Sequence, residues 1–213
     1  NNTANSYDKI VRWTTFGKDS VWKNEILKQL SAEKTVLDLA CGTGILTRKI
    51  AEKIPHAKIT GVDITTSYLE KAREKLKLYQ NISFVNQDAE KLDLEGKFDC
   101  ITASYLPKYC ESSILIKNCL EHLNVGGKII LHDFTYPKNR FVKRMWNFYF
   151  DILYLAGFFI PDWKKVFVDL PHLIREADWV KKYENTMKNM GLDVFKQELT
   201  WESSTILVGT KII

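Results

Sequence analysis

Two glycines placed one residue apart, directly after an apolar run that carries an acid, constrain this chain more than any other feature. The run reads Val36-Leu37-Asp38-Leu39-Ala40-Cys41-Gly42-Thr43-Gly44, and a helix-like stretch follows it to Ile54. A second apolar run, Lys58 to Val62, then delivers Asp63. Strand, tight loop, helix, strand and terminal acid are the parts of a nucleoside-binding βαβ unit. Gly42 and Gly44 can adopt positive φ and let a ligand approach the backbone. Asp63 stands where a carboxylate could accept both hydroxyls of a ribose.

The identity of the nucleoside follows from charge. A dinucleotide fingerprint requires a third small residue, but the six-residue frame opened by Gly42 closes on Thr47. Asp38, just ahead of the loop, would repel a pyrophosphate and attract an amino group or a sulfonium. S-adenosylmethionine has both cations and no phosphate, so it is the expected cofactor. A degenerate dinucleotide site and a ligand-free turn are the alternatives.

The remaining chain alternates in a way that supports this reading. Strands are expected at Thr35–Leu39, Lys58–Val62, Ile82–Val85, Phe98–Ser104 and Lys128–Phe134. Helices are expected at 45–54, 67–79 and 113–123, the last stopped by Asn124 and a Gly126-Gly127 turn. A helix from Trp179 to Met190 closes at Gly191, and the runs Asp193–Leu199 and Ser204–Lys211 follow without a helix between them. The expectation is an α/β chain with a Rossmann-like, seven-stranded, mostly parallel sheet, helices on both faces and an antiparallel terminal hairpin. That is the class I methyltransferase layout. All of 1–213 reads as one domain, with an N-terminal helical layer over 1–30 that carries Trp13, Phe16, Trp22, Ile26, Leu27 and Leu30.

A helical lid insertion over 135–178 has its own pattern. Phe141, Met145, Phe148, Ile152, Leu155 and Phe159 recur at steps of three and four, and Trp146, Tyr149, Leu153, Ala156 and Ile160 widen that face. Arg140, Lys143, Arg144, Asn147 and Asp151 hold the other side. So wide an apolar face needs cover from the sheet, from a greasy substrate or from a membrane surface.

Bulk properties exclude little. With 45% hydrophobic and 27% charged residues the chain reads as a globular protein, and a formal charge of +5 permits anionic partners without requiring them. Its basic residues are scattered and no N-P-P-Y-type tetrad follows the fourth strand, so nucleic acid is not an expected partner. Cys41, Cys100, Cys110 and Cys119 form no C-x-x-C pair and have no His partners at metal spacing. They read as reduced thiols in a cytoplasmic protein, with membrane association left open and no metal expected. No stretch reads as a signal peptide or a bilayer span. The chain opens on Asn1 rather than Met, so its first residue is not taken as the protein's start.

Several stretches together resemble one family, the ubiquinone/menaquinone biosynthesis C-methyltransferases. Tyr7-Asp8, Phe16-Gly17 and Trp22-Lys23 match its Y-D, F-G and W-K spacing. Leu37–Thr47, Gly61-Val62-Asp63-Ile64, Gln87-Asp88-Ala89-Glu90 and Phe98–Thr102 are similar to its first four strand ends, and Met187–Leu192 to its last helix. The R-V-L-x-P-G-G stretch is matched by the segment ending Gly126-Gly127, with Val125 in place of Pro. One departure stands after the fourth strand. There the family's F-G-L-R-N is replaced by Tyr105-Leu106-Pro107-Lys108-Tyr109, which keeps a cation and loses the planar guanidinium.

The resemblance implies a C-methyltransferase acting on a lipophilic quinol-like acceptor in quinone biosynthesis. A soluble acceptor and a cofactor-binding scaffold without turnover are the competing readings. For the cofactor the expected residues are Ala40, Gly42 and Gly44 by backbone approach, Asp38 through the loop, and Asp63 on the ribose. Ile64 is expected against the adenine, Asp88 and the Ala89 amide at its edge, and Ser104, Tyr105 and Tyr7 around the methionine part. C-methylation of a quinol requires removal of a phenolic proton, for which Asp133, Lys108 and His132 are the candidates. His172 is a further candidate from the lid, and Asp133, standing where the family has Glu, is preferred. Peripheral membrane contact and a homodimer are left open.

Overall fold

The computed structural model of the chain describes residues 2–212, in which seven strands form one sheet in the order β3-β2-β1-β4-β5-β7-β6. These are β1 Thr35–Leu39, β2 Lys58–Asp63, β3 Ile82–Asn86, β4 Phe98–Ser104, β5 Leu123–Phe134, β6 Leu192–Leu199 and β7 Ser204–Lys211. The first five run parallel, and β7 pairs antiparallel with both β5 and β6. Class I order and the terminal hairpin are as the sequence predicts. The chain order reverses between β1 and β4, and in such sheets ligands bind beyond the strand carboxyl ends at that point.

The described residues also form eight α-helices: α1 Tyr7–Thr14, α2 Lys18–Lys28, α3 Ile45–Lys53, α4 Thr66–Leu76, α5 Ser112–Glu121, α6 Arg140–Ala156, α7 Pro161–Ala177 and α8 Trp179–Asn189. Alternation along the strands sorts the core into two layers. Leu37, Leu39, Ile101, Ile129 and Leu131 face α5 and α8, where Leu115, Ile116, Tyr183 and Met187 meet them. Val36, Cys100 and Ile130 face α2 and α3, against Ile26, Ile50 and Ile54. Period two in the strands thus meets period 3.6 in the helices on both faces.

Two expectations are corrected. The Gly126-Gly127 pair does not end a helix before β5 but lies inside that strand. Helix α5 stops at Glu121, and the β4–β5 register jumps from Phe98↔Leu123 to Cys100↔Lys128, which absorbs the extra residues as a bulge. Gly127 is confined there, since a Cβ would sit 2.8 Å from the Asn124 carbonyl oxygen.

The second correction concerns the lid. It is two helices, and they do not lie on the sheet as core. Trp146, Phe150 and Leu153 of α6 and Trp163, Phe167 and Ile174 of α7 form a third cluster, which Tyr7, Ile10, Phe134 and Tyr149 join. The stripe Phe141-Met145-Phe148-Ile152-Leu155-Phe159 is exposed, so of the three covers expected for it the sheet is not the one. Trp13 and Phe16 of the N-terminal layer are exposed as well, while Trp22, Ile26 and Leu30 are buried.

Candidate active site

The loop after β1 holds three left-handed residues in five: Ala40 (φ 50°), Gly42 (φ 56°) and Gly44 (φ 81°). For Ala40 that conformation is strained, as is common where the backbone must approach a ligand. At Gly44 space adds to the requirement, because a Cβ there would stand 2.8 Å from Leu76 Cδ1 of α4.

Asp63, at the end of β2, holds this loop in place. Its Oδ2 accepts the Gly42 N–H at 2.8 Å and its Oδ1 accepts the Thr65 N–H at 2.7 Å. A carboxylate has about four lone-pair sites, so two bonds leave it capacity for a vicinal diol. Asp38 is buried beneath the loop and accepts the hydroxyls of Thr47 on α3 (2.6 Å) and Thr102 on β4 (2.9 Å). Burial pushes its carboxyl up to about 6, against the pull of those two hydrogen bonds. Asp38 therefore braces the loop from below, with partners that the sequence reading did not name.

At the adenine side the expected residues are less tightly joined. Asp88 accepts the Glu90 N–H at 2.9 Å in a local turn, and Ala89 beside it is buried. Ile64 is exposed next to Asp63, without a packing partner in either sheet core.

The ends of β4 and β5 carry a denser network. Ser104 Oγ meets His132 Nδ1 at 2.9 Å, and His132 Nε2 meets Ser204 Oγ at 2.8 Å, so both imidazole nitrogens are engaged. Burial, with the Lys23 and Lys108 charges nearby, holds His132 well below its ordinary pKa and hence neutral. It reads as a satisfied core histidine that positions Ser104.

Lys108 and Asp133 form a sealed pair. Lys108 Nζ donates to Asp133 Oδ1 and to the Tyr105 carbonyl, both at 2.8 Å, and the Lys108 N–H donates to Asp133 Oδ2 at 3.2 Å. Burial lowers the Lys108 pKa and raises that of Asp133, and their mutual attraction opposes both shifts. The pair braces the segment after β4, and Asp133 has no free oxygen facing solvent. His172, on α7, is exposed.

Tyr105 is held on every side. Its φ is 67°, its N–H donates to the His132 carbonyl at 2.8 Å, and its ring stacks on Phe134 at 4.9 Å and 13°. Its hydroxyl donates to Asp19 Oδ1 at 2.8 Å, and Asp19 is itself paired with Lys23. Burial and the Asp19 charge raise the Tyr105 phenol well above its ordinary pKa.

The N-terminal layer closes over the loop through contacts that periodicity cannot reveal. Asp8 accepts the Thr43 hydroxyl at 2.6 Å and pairs with Lys75 at 2.5 Å. Thr3 and Tyr68 share a hydrogen bond at 2.8 Å, and the Tyr7 ring lies 5.3 Å from Tyr68 and 6.0 Å from Trp163 on α7. Trp22 donates to Thr200 Oγ1 at 2.7 Å and packs on His132 and Phe134. The Tyr7-Asp8 dipeptide was the sequence signal for this closure. Asp19 and Lys23 had none beyond their spacing of four.

This donor set fits a nucleoside sulfonium. It offers a carboxylate for a diol, bare backbone at the glycine loop and a buried acid beneath it, and the one cation that reaches the loop segment, Lys75, is paired with Asp8. Solved methyltransferases share the architecture. The N-methyltransferase NodS of Bradyrhizobium japonicum, in complex with S-adenosyl-L-homocysteine, matches with TM-score 0.60 and 15% identity over 92% of this chain and 87% of its own. Phosphoethanolamine N-methyltransferase 2 of Haemonchus contortus, in complex with S-adenosyl-L-methionine, matches with TM-score 0.66 and 15% identity over 89% of this chain and 52% of its own. These matches show the class I fold, and with the family match that follows they define an S-adenosylmethionine-dependent methyltransferase.

The sequence comparisons narrow the class. Residues 1–211 match the model of the ubiE/COQ5 methyltransferase family, and the chain belongs to that family. A demethylmenaquinone methyltransferase of Thermotoga maritima is 30% identical, over 98% of this chain and 93% of its own length. The ubiquinone/menaquinone biosynthesis C-methyltransferase UbiE of Pseudomonas syringae pv. tomato is 28% identical, over 95% and 81%.

Proposed function

We propose that the protein C-methylates the ring of a lipophilic quinol-like acceptor in quinone biosynthesis. The observation that carries this reading is the match to the ubiE/COQ5 family from end to end, including the N-terminal Tyr7-Asp8 segment that closes over the loop. The cofactor, when bound, supplies a methyl carbon already activated by the sulfonium. The chain must align donor and acceptor and keep water out.

Each site residue has a role in this reading. Asp63 receives the ribose hydroxyls while it anchors Gly42. Ala40, Gly42 and Gly44 present backbone, Asp88 and the Ala89 amide meet the adenine edge, and Ile64 covers one of its faces. Ser104, oriented by His132, and Tyr105, clamped by Asp19 and Phe134, border the methionine part with Tyr7. Lys108 and Asp133, neutralising each other, hold the segment after β4 that borders the acceptor side, and neither serves as the base in this reading. A membrane surface is where such an acceptor would be met.

The test is transfer of labelled methyl from S-adenosylmethionine to a short-chain prenylated quinol, followed by phase partition and mass analysis. A product one methyl heavier in the organic phase, lost with Asp63→Ala, is expected. Label confined to aqueous products from a cell extract would replace the quinol with a soluble acceptor. Cofactor binding with no transfer at all would favour a scaffold.

A further inference from the structure

Helix α6 has three faces where an ordinary amphipathic helix has two. Trp146, Phe150 and Leu153 enter the α6–α7 cluster. Arg140, Lys143, Arg144, Asn147 and Asp151 line a groove of about 490 Å³, with Phe148 and Tyr136 at its edge. The third face is Phe141, Met145, Phe148, Ile152 and Leu155, at steps of three and four, and every one of them is exposed.

The stripe extends beyond the helix. Phe159 at the α6–α7 corner is 88% exposed and Phe158 beside it 53%. Phe16, 80% exposed, lies 5.7 Å from the Tyr149 ring and prolongs the patch onto the N-terminal layer. Within α6 alone the stripe is roughly 20 Å long at 1.5 Å per residue. Exposed apolar side chains in a continuous row of this length mark an interaction surface.

Charge chooses among the occupants. Three cations, Arg140, Lys143 and Arg144, flank the beginning of the stripe, and Lys164 stands 4.3 Å over the Phe158 ring at its end. Asp151 is the lone acid of α6. With Asp162 at the start of α7, a second copy apposed through the same face would set two acids against four cations, whereas anionic headgroups would match all four. An apolar row with basic residues along its margin is the pattern of a helix lying in a bilayer interface.

We propose that α6 and its corner with α7 dock on an anionic lipid bilayer. Phe141, Phe148, Leu155 and Phe159 enter the apolar boundary, while Arg140, Lys143, Arg144 and Lys164 meet headgroup phosphates. The proposal rests on the lipophilic-acceptor reading for its purpose, since the bilayer is the phase that holds such an acceptor. Tyr7 of the N-terminal layer packs on Trp163 of α7, so the docked helices are joined to the layer that closes the cofactor loop.

The experiment is flotation of the full chain with vesicles, comparing pure phosphatidylcholine with three parts phosphatidylcholine to one part phosphatidylglycerol. The expected result is binding to the anionic vesicles alone, weakened by added salt. The double variant Phe148→Ser/Phe159→Ser should bind at least tenfold more weakly with an unchanged melting temperature. Lys143→Gln/Arg144→Gln should lose several-fold and keep little salt dependence. No binding to anionic vesicles, or binding retained by the serine variant, overturns the proposal. So does a dimer in sedimentation velocity that the serine variant disperses while vesicles remain unbound. Methyl transfer to a water-soluble short-chain quinol separates the two readings. Transfer without flotation removes the docking surface, and flotation without transfer to any quinol removes the acceptor assignment.

Discussion

The carboxyl end of the sheet and the α6–α7 pair are built on opposite principles. At the sheet end, polar groups are buried and each is tied to others: Asp38 to two threonines, Asp63 to two backbone amides, His132 to two serines and Asp133 to Lys108. Among the described residues no buried side-chain nitrogen or oxygen lacks a partner. The helical pair instead has a core of aromatic rings and an outer face of bare hydrocarbon. Fully satisfied polar networks rigidify, whereas an unpartnered apolar face adapts to what it meets. The contrast suits an enzyme whose donor never changes and whose acceptor arrives from elsewhere.

The sharpest way to break the comparison is to unpair the sheet end. Lys108→Met leaves Asp133 buried without its partner, and the expected loss is about 3–5 kcal/mol of stability. Lys108→Met/Asp133→Leu should recover most of that loss in urea unfolding, because no lone charge remains. If the single variant unfolds at the wild-type midpoint, the pair is no brace.

A comparable effect is expected from Asp38 as pH changes. Its folded pKa of about 6 lies above the unfolded value of 3.8. In that window the folded state binds the extra proton, so the residue favours folding below pH 3.8 and the advantage is lost as pH rises through 6. Relative to Asp38→Asn, wild-type stability should fall by about 3 kcal/mol between those limits, at 1.36 kcal/mol per pKa unit. A difference that is flat with pH would show that the carboxyl is ionised in the fold at no cost.

Asp63→Ala is expected to weaken binding of S-adenosylmethionine by about 1.5–3 kcal/mol, the scale of hydrogen bonds to a charged group. Calorimetry reads it directly. Because Asp63 also anchors Gly42, Asp63→Asn should recover part of the affinity, and an unaltered dissociation constant in both variants would remove the residue from the ribose.

The sheet end was the legible half. Glycine spacing, two acids at strand ends and alternating β and α segments fix the strand order and bring Asp38, Gly42 and Asp63 together, since local chemistry and topology leave little else. The bulge at Gly126-Gly127 escaped because a turn signal does not tell whether the chain leaves the strand or bends within it. Thr47, Thr102, Asp8 and Asp19 escaped because their partners are far off in sequence and only packing joins them. Periodicity in α6 gave the apolar angle correctly. It could not say which part of that angle is buried, because Trp146 and Phe148 are equally apolar and differ only in what α7 covers.

That last pair supplies the smallest expected effect and the finest test of the comparison. Phe148 is 65% exposed, whereas Trp146, two residues earlier, packs 4.2 Å from the Phe150 ring within the cluster. Phe148→Ser removes a large apolar side chain yet opens no cavity, so stability should stay within about 0.5 kcal/mol of wild type, as for surface substitutions generally. Thermal melting in the absence of lipid decides it. A loss several times larger would mean that the stripe is covered in the folded protein by a neighbouring chain or segment. The two halves of the molecule would then be built alike, and the outer face of α6 would be buried, as one of the covers the sequence allows.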